Sequence, residues 1–342
     1  MANRVKRSVS MTKRERVINS FNHKDSDIVP YSVSFTKEMA QTMAEYLADA
    51  GFQEKLNNHI YSSNYGESAE VEKGIFLDDM QVLWDKTHDG DVGIVINRLI
   101  PSLENRTYKV PGANRDFIKA ELVRLKENSG DKFRMYNPGF NHFERAWQFM
   151  GIENTLMNFL DYPDEMHELF DEISQHLHEA LDLILPCDFV DGVFFGDDWG
   201  TQRGLVMSKK LWLEFFKPRF TALFQRVKAA GKYVILHTCG NNEEILVDLI
   251  EMGLDCYQTF QPEVYDIERI KKEYGKDLSF WGGISTQVLL PYGTPEEVEK
   301  ETIRTMRMLG KNGGYIAAPT HSIPGGVPVE NILAMLKVFD NQ

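Results

Sequence analysis

From residue 187 onward the apolar positions switch repeatedly between two spacings. Short apolar runs, "CDFVDGVFFGDD" (187–198), "KYVILHTC" (232–239), "LDCYQTF" (254–260), "LSFWGGIS" (278–285) and "GGYIAAPTH" (313–321), read as buried strands. Between them lie stretches with helical apolar spacing: "SKKLWLEFFKPRFTALFQRVKAAG" (208–231), "NNEEILVDLIEMG" (241–253), "DIERIKKEYG" (266–275), "TPEEVEKETIRTMRMLG" (294–310) and "PVENILAMLKVFD" (328–340). Asn241 or Asn242 suits an N-cap, and Pro295 suits a first helical turn. Strands that alternate with helices imply a parallel sheet.

An open doubly wound sheet and a closed barrel both fit that alternation. The N-terminal half supplies further strand candidates at 28–34 ("IVPYSVS") and 133–139 ("FRMYNPG"), and "DVGIVIN" (91–97) suits an inserted hairpin. The expected fold is therefore α/β, a (β/α)8 TIM barrel with an elaborated N-terminal half. No internal repeat, low-complexity tract or Gly/Ser linker divides the chain. A single domain over 11–342 is expected, behind a disordered leader over 1–10.

Charge narrows the partners. The chain has 38 Lys+Arg against 51 Asp+Glu, a formal −13, which argues against nucleic-acid binding. No apolar run is long enough for a membrane span, and the basic start has no apolar segment behind it. The three cysteines, Cys187, Cys239 and Cys256, form no disulfide pattern, so a reducing cytoplasm is expected. Cys187 and Cys256 lie in apolar surroundings and read as inert core thiols.

The C-terminal ends of barrel strands are where such folds place their chemistry. Here those ends carry Asp197 and Asp198, His237 and Cys239, Gln258, Ser285, and His321. His237 and Cys239 are two apart in an extended segment, so their side chains share a face. Both can hold zinc, and His321 belongs to the same rim. The expected metal ligands are His237, Cys239 and His321, with one position open; the bland alternative is a helix-capping His321 and a backbone-bonded His237. Of Asp197 and Asp198, adjacent residues on a strand, at most one can aim at the rim centre. It would ligate the metal, orient an imidazole or protonate a leaving group, unless the pair caps a helix or pairs with Arg203. Glu144 opens a helix and is a further candidate ligand or acid, whereas His142 reads as a satisfied surface histidine.

Several stretches together carry a family resemblance: 11–31 ("MTKRERVINSFNHKDSDIVPY"), 143–164, 195–220, "HTCGN" at 237–241 and 281–301. The chain resembles the uroporphyrinogen decarboxylase superfamily, whose fold is a (β/α)8 barrel. Decarboxylases of that family carry an Arg-Gln-Ala-Gly-Arg motif after the first strand; this chain has "YSVSFTKEMAQTMAEYL" there and no arginine between Arg16 and Arg98. The other branch comprises corrinoid-dependent methyltransferases that use zinc. Their His-x-Cys pair matches His237 and Cys239, while coenzyme M methyltransferases have Cys where this chain has His321. Residues 78–112 resemble phenyl methyl ether demethylases of the same branch.

The resemblance implies a zinc-dependent O-demethylase component. It would move a methyl group from a methoxylated aromatic to cobalt(I) of a corrinoid (cobalamin) carried by a separate corrinoid-binding protein. Asp197, Asp198 or Glu144 would serve as the acid. Phe35, Tyr65, Trp84, Phe140, Phe195 and Trp199 are expected to line the ring slot, with Gln258 also touching substrate. The alternatives are methyl transfer from a methylated corrinoid protein to a thiol, a methylamine-type donor, uroporphyrinogen decarboxylation, or a non-catalytic partner in a corrinoid system.

Overall fold

The computed structural model describes residues 11–342 apart from Tyr65, Glu67 and Asp89. The expected leader and the ring-slot candidate Tyr65 lie outside the described residues. The strands are β1 (Ile60–Ser62), β2 (Ser68–Glu72), β3 (Ile75–Asp78), β4 (Leu83–Asp85), β5 (Ile94–Val95), β6 (Phe133–Tyr136), β7 (Gly192–Gly196), β8 (Tyr233–His237), β9 (Cys256–Phe260), β10 (Ser279–Ile284) and β11 (Tyr315–Pro319). One parallel sheet runs β1-β6-β7-β8-β9-β10-β11, and β2 to β5 form a separate antiparallel sheet inserted after β1. The 91–97 stretch thus enters the insertion as β5.

The barrel closes through the segment that the sequence marks as a strand at 28–34. Tyr31 bridges Ala317 of β11 in parallel, through Ser32 N–H to the Ala317 carbonyl (3.1 Å) and Ala317 N–H to the Pro30 carbonyl (2.9 Å). On its other edge His59 N–H donates to the Tyr31 carbonyl (2.9 Å). One residue pair on, the Asn58 carboxamide replaces the ladder, accepting from Val33 N–H and donating to the Val33 carbonyl, each at 2.9 Å. An eighth stave is therefore present, in the irregular form that a proline and a side-chain substitute impose. β1 itself, only three residues long, was not among the expected strands. The stretch 208–231 forms two helices, Lys209–Phe215 and Lys217–Ala229, because Pro218 fits a first helical turn and not a helix interior.

Strand parity sorts the core into two layers. Ile60, Phe133, Met135, Ile235, Cys256, Trp281, Ile316 and Ala318 cluster together with Phe194 and Tyr233, and the helix Lys13–Phe21 adds Val17 and Phe21. These are the alternate residues that face the barrel axis, with the first helix plugging the N-terminal end. The residues between them, among them Val193, Phe195, Val234, Leu236, Tyr257 and Phe280, belong to the larger core under the helices. No helix among the described residues is long and apolar enough to cross a membrane.

Phe21 meets Phe133 edge-on at 5.3 Å and Tyr233 at 5.2 Å, so it seals the plugged end. Phe21→Ala is expected to cost about 3 to 5 kcal/mol of unfolding free energy, read as a fall in the urea midpoint. A loss under about 1 kcal/mol would mean that the first helix does not seal the barrel.

Candidate metal centre

Parallel pairing of β7, β8 and β9 sets Gly196, His237 and Gln258 in one cross-strand row. His237 and Gln258 continue the axis-facing rows of Ile235 and Cys256, so both side chains enter the mouth from its inner wall. The Oε1 of Gln258 is in hydrogen-bond contact with His237 Nδ1. An amide oxygen only accepts, which assigns the ring proton to Nδ1 and leaves the Nε2 lone pair free. Nε2 lies 3.5 Å from Cys239 Sγ. Nitrogen and sulfur donors bound tetrahedrally to one zinc at about 2.0 and 2.3 Å would stand about 3.5 Å apart.

His321 arrives from the far side, two residues beyond β11, with its ring 5.6 Å from that of His237 at 75°. The three ligand atoms lie within 4.8 Å of one another. Closing them on one ion asks for a movement of roughly an ångström. The donor set, one thiol and two imidazoles at the open end of a barrel, fits a zinc ion with an exchangeable position.

The loop carrying Cys239 is fastened independently. Gly240 has φ +75°, and a Cβ there would meet the carbonyl carbon of Gly200 at 2.4 Å. Asn242 Nδ2 donates to the Cys239 carbonyl (2.9 Å), and Tyr265 Oη donates to the Gly240 carbonyl (2.8 Å). All of these partners are buried or nearly so, which holds the thiol in place without an ion.

The two aspartates divide as strand parity requires. Asp198 points to the mouth: one oxygen accepts from Cys239 N–H (2.8 Å) and lies 3.7 Å from His237 Nε2. Asp197, expected as a catalytic candidate, is fully buried on the opposite face. Its carboxylate accepts from Phe143 N–H (3.0 Å), Glu144 N–H (2.8 Å) and Trp199 Nε1–H (2.9 Å). It caps the helix His142–Met150 from across the barrel wall and is occupied there, with no part taken by Arg203. Glu144, in the first turn of that helix, feels the charges of Asp198, Asp197, His237 and Cys239.

Burial, then Asp198 and Asp197, push the Glu144 carboxyl well above the usual carboxylate range. Burial pushes Asp197 up to about 7 against the opposing pull of its three donors. Burial and Asp198 push the Cys239 thiol up, and desolvation followed by His237 pulls the His321 imidazole down. Each is displaced toward its uncharged form; a bound divalent cation would reverse this for the carboxyls and the thiol and would favour the same neutral form of the imidazole.

The aromatic candidates separate. Phe35 and Phe140 are half-buried, and Trp84 is buried behind Phe140, stacked at 5.9 Å with its Nε1 donating to Asp78. Phe195 and Trp199 do not line the mouth. Phe195 packs on Phe220 and Phe224 under the helices, and Trp199 on Trp212, Phe216 and Phe220, both at 0% exposure. The residue that faces inward is Phe194, 6.0 Å from His237 and 6.1 Å from Trp281. Parity could have found it, since residue 194 shares a face with 196, the partner of His237. Gln258, expected to touch substrate, has its amide oxygen engaged by His237. Ser285 accepts from Val288 and Leu289 N–H and caps the turn after β10. His142 is buried, not on the surface; Nε2 meets Ser174 Oγ at 2.7 Å, and burial pulls the imidazole down to about 3.

Asp197→Ala is expected to lower unfolding free energy by about 2 to 4 kcal/mol, since it strands buried donors at a helix start. Zinc affinity should fall less than in Asp198→Ala; the reverse order, by chelator competition, would place Asp197 at the metal.

Comparison with known proteins follows the same lines. A curated methylated-thiol–coenzyme M methyltransferase of Methanosarcina mazei is 24% identical over 200 residues, covering 57% of this chain and 50% of that protein. A uroporphyrinogen decarboxylase of Coxiella burnetii is 20% identical over 179 residues, covering 52% and 48%. The chain spans about half the length of these curated relatives. The solved structure of a methyltransferase from Methanosarcina mazei superposes with TM-score 0.69 at 15% identity over 97% of this chain and 99% of that one, which shows the shared fold. The family profile for uroporphyrinogen decarboxylase (URO-D) matches residues 143–342, more than half of the chain and including every candidate ligand. The chain therefore belongs to the uroporphyrinogen decarboxylase (URO-D) family.

Proposed function

We propose that this protein is a zinc-dependent methyltransferase that removes the methyl group of a methoxylated aromatic and passes it to cobalt(I) of a corrinoid on a separate protein. The observation that carries this reading is the convergence of His237, Cys239 and His321 within 4.8 Å at the C-terminal mouth of the barrel. In the transfer the carbon–oxygen bond breaks, the cobalt electron pair forms the new bond to carbon, and the phenolate oxygen gains a proton. When bound, zinc would supply the positive charge that favours a departing oxygen.

The donor set supports an oxygen leaving group. One thiolate and two neutral imidazoles leave a net positive centre, whereas two thiolates would neutralise it. A departing phenolate has a pKa near that of Tyr, about 10, so help with its charge matters. Glu144 holds a carboxyl beside the centre that can keep a proton for that oxygen. Phe194 and Trp281 offer the ring an apolar floor next to His237, and Phe35 and Phe140 a half-buried rim. Decarboxylation of a polyanionic substrate fits poorly. Arginine is absent between Arg16 and Arg98, and Arg145, beside Glu144, is engaged by Asp78 (2.8 Å) and Asp79 (3.5 Å).

A second reading has its own support. The Methanosarcina mazei relative is named for methylated thiols and coenzyme M. In that reading the centre would bind sulfur in place of oxygen, either as methyl donor or as acceptor.

Purified protein, given cob(I)alamin with a methoxyarene in one arm and methylcobalamin with a thiol in the other, separates the two. Turnover in the first arm is expected; turnover confined to the second selects the thiol reading. The same preparation should hold roughly one zinc per chain, and His237→Ala should lose it with activity. Full activity in protein stripped of zinc would sink both readings.

A further inference from the structure

The contact between Gln258 and His237 decides more than a side-chain position. His237 and Gln258 are direct cross-strand partners, so the sheet register itself brings the carboxamide to the ring. The carboxamide can present either its oxygen or its nitrogen to Nδ1. With oxygen inward, the proton stays on Nδ1 and the Nε2 lone pair faces Cys239 Sγ at 3.5 Å. With nitrogen inward, Nδ1 would have to accept, and the proton would move to Nε2. It would then point at Cys239 Sγ and at Asp198, 3.7 Å away, and the ring could not donate to a cation. The contact thus selects between a ring that can ligate and one that cannot.

We infer that Gln258 is a positioning residue: its amide oxygen holds His237 in the Nδ1–H tautomer and fixes the ring plane, so that Nε2 and Cys239 Sγ are presented together. This rests on the metal reading above for its purpose, though not for its geometry. It reassigns Gln258 from substrate contact to support of a ligand. Outer partners of ligating histidines do this by fixing tautomer and orientation. The remaining neighbours of the ring cannot replace it. Phe194, at 6.0 Å, offers an aromatic face, and His321, at 5.6 Å, is itself a ligand candidate.

The test uses the full chain labelled with 15N-histidine and freed of metal. Two-bond proton–nitrogen correlation spectra should show His237 in the Nδ1–H tautomer. Gln258→Leu should shift its signals to the Nε2–H form or to exchange between the two. Gln258→Glu, which keeps an acceptor oxygen, should restore the native pattern. Zinc competition against a chromophoric chelator should show affinity about ten- to a hundredfold weaker in Gln258→Leu and within a few-fold of native in Gln258→Glu. The cobalt(II)-loaded leucine variant should also show an altered ligand-field spectrum. An Nε2–H tautomer in the native protein, or identical tautomer and affinity in all three chains, would overturn the inference. A native chain that shows the expected tautomer and its loss in the leucine variant, yet binds no zinc, would instead sink the metal reading and leave the role of Gln258 standing.

Discussion

The site depends on the in-register parallel pairing of three central strands. Because β7, β8 and β9 align Gly196, His237 and Gln258, side-chain parity is shared across the row. That one constraint sends His237 and Gln258 toward the barrel axis, puts Asp198 over the mouth and buries Asp197 in the wall. A slip of one residue in β8 would exchange the whole set, placing Leu236 in the mouth and His237 under the helices. Burying the polar His237 in the apolar outer core opposes such a slip. Val234 and Leu236 have 0% exposure within the outer core, and Ile235 is equally enclosed within the barrel.

The second element of organisation lies beyond the strand, where sheet hydrogen bonds no longer dictate the path. Gly200 and Gly240 meet backbone to backbone, and neither position has room for a Cβ: one at Gly200 would meet the Cys239 carbonyl oxygen at 2.4 Å. Asn242 then ties the Cys239 and Gly240 carbonyls to the Tyr257 and Tyr265 hydroxyls. These buried hydrogen bonds rigidify the thiol loop in the way a metal would if nothing else did, although the Asn242 Oδ1 is itself left without a partner. The His321 segment is held as well, Thr320 N–H donating to the Ile284 carbonyl (2.8 Å) and Ile323 N–H to the Ser34 carbonyl (2.9 Å), so the backbone positions all three candidate ligands.

The repeating units from residue 187 onward were legible because each strand is buried on both faces and each helix is amphipathic, which are the two strongest periodic signals. The convergence of His237, Cys239 and His321 was legible for a related reason: polar residues at strand ends break an apolar pattern. What escaped the sequence has physical causes as well. β1 is three residues long and its neighbour's ladder is completed by the Asn58 side chain, which no periodicity reveals. Phe195 was expected in the mouth and Phe194 was not, because two adjacent phenylalanines look alike until the register with His237 sets their parity. Asp197 and Trp199 looked like site residues because they flank the rim in sequence. Their actual partners, the amides of Phe143 and Glu144, lie more than fifty residues away in the chain and could not be inferred from spacing.

The electrostatics of the mouth tie these features to chemistry. Asp198, the Cys239 thiol and the two imidazoles of His237 and His321 meet at the mouth, with Asp197 in the wall behind them. A donor set of one sulfur and two nitrogens is suited to a divalent ion. A polyanionic substrate would meet the Asp198 carboxylate where it needs positive charge. The proposed substrate, an uncharged aromatic ether, would avoid that repulsion: it would enter over Phe194 and Trp281 as a neutral molecule and gain charge only at its departing oxygen.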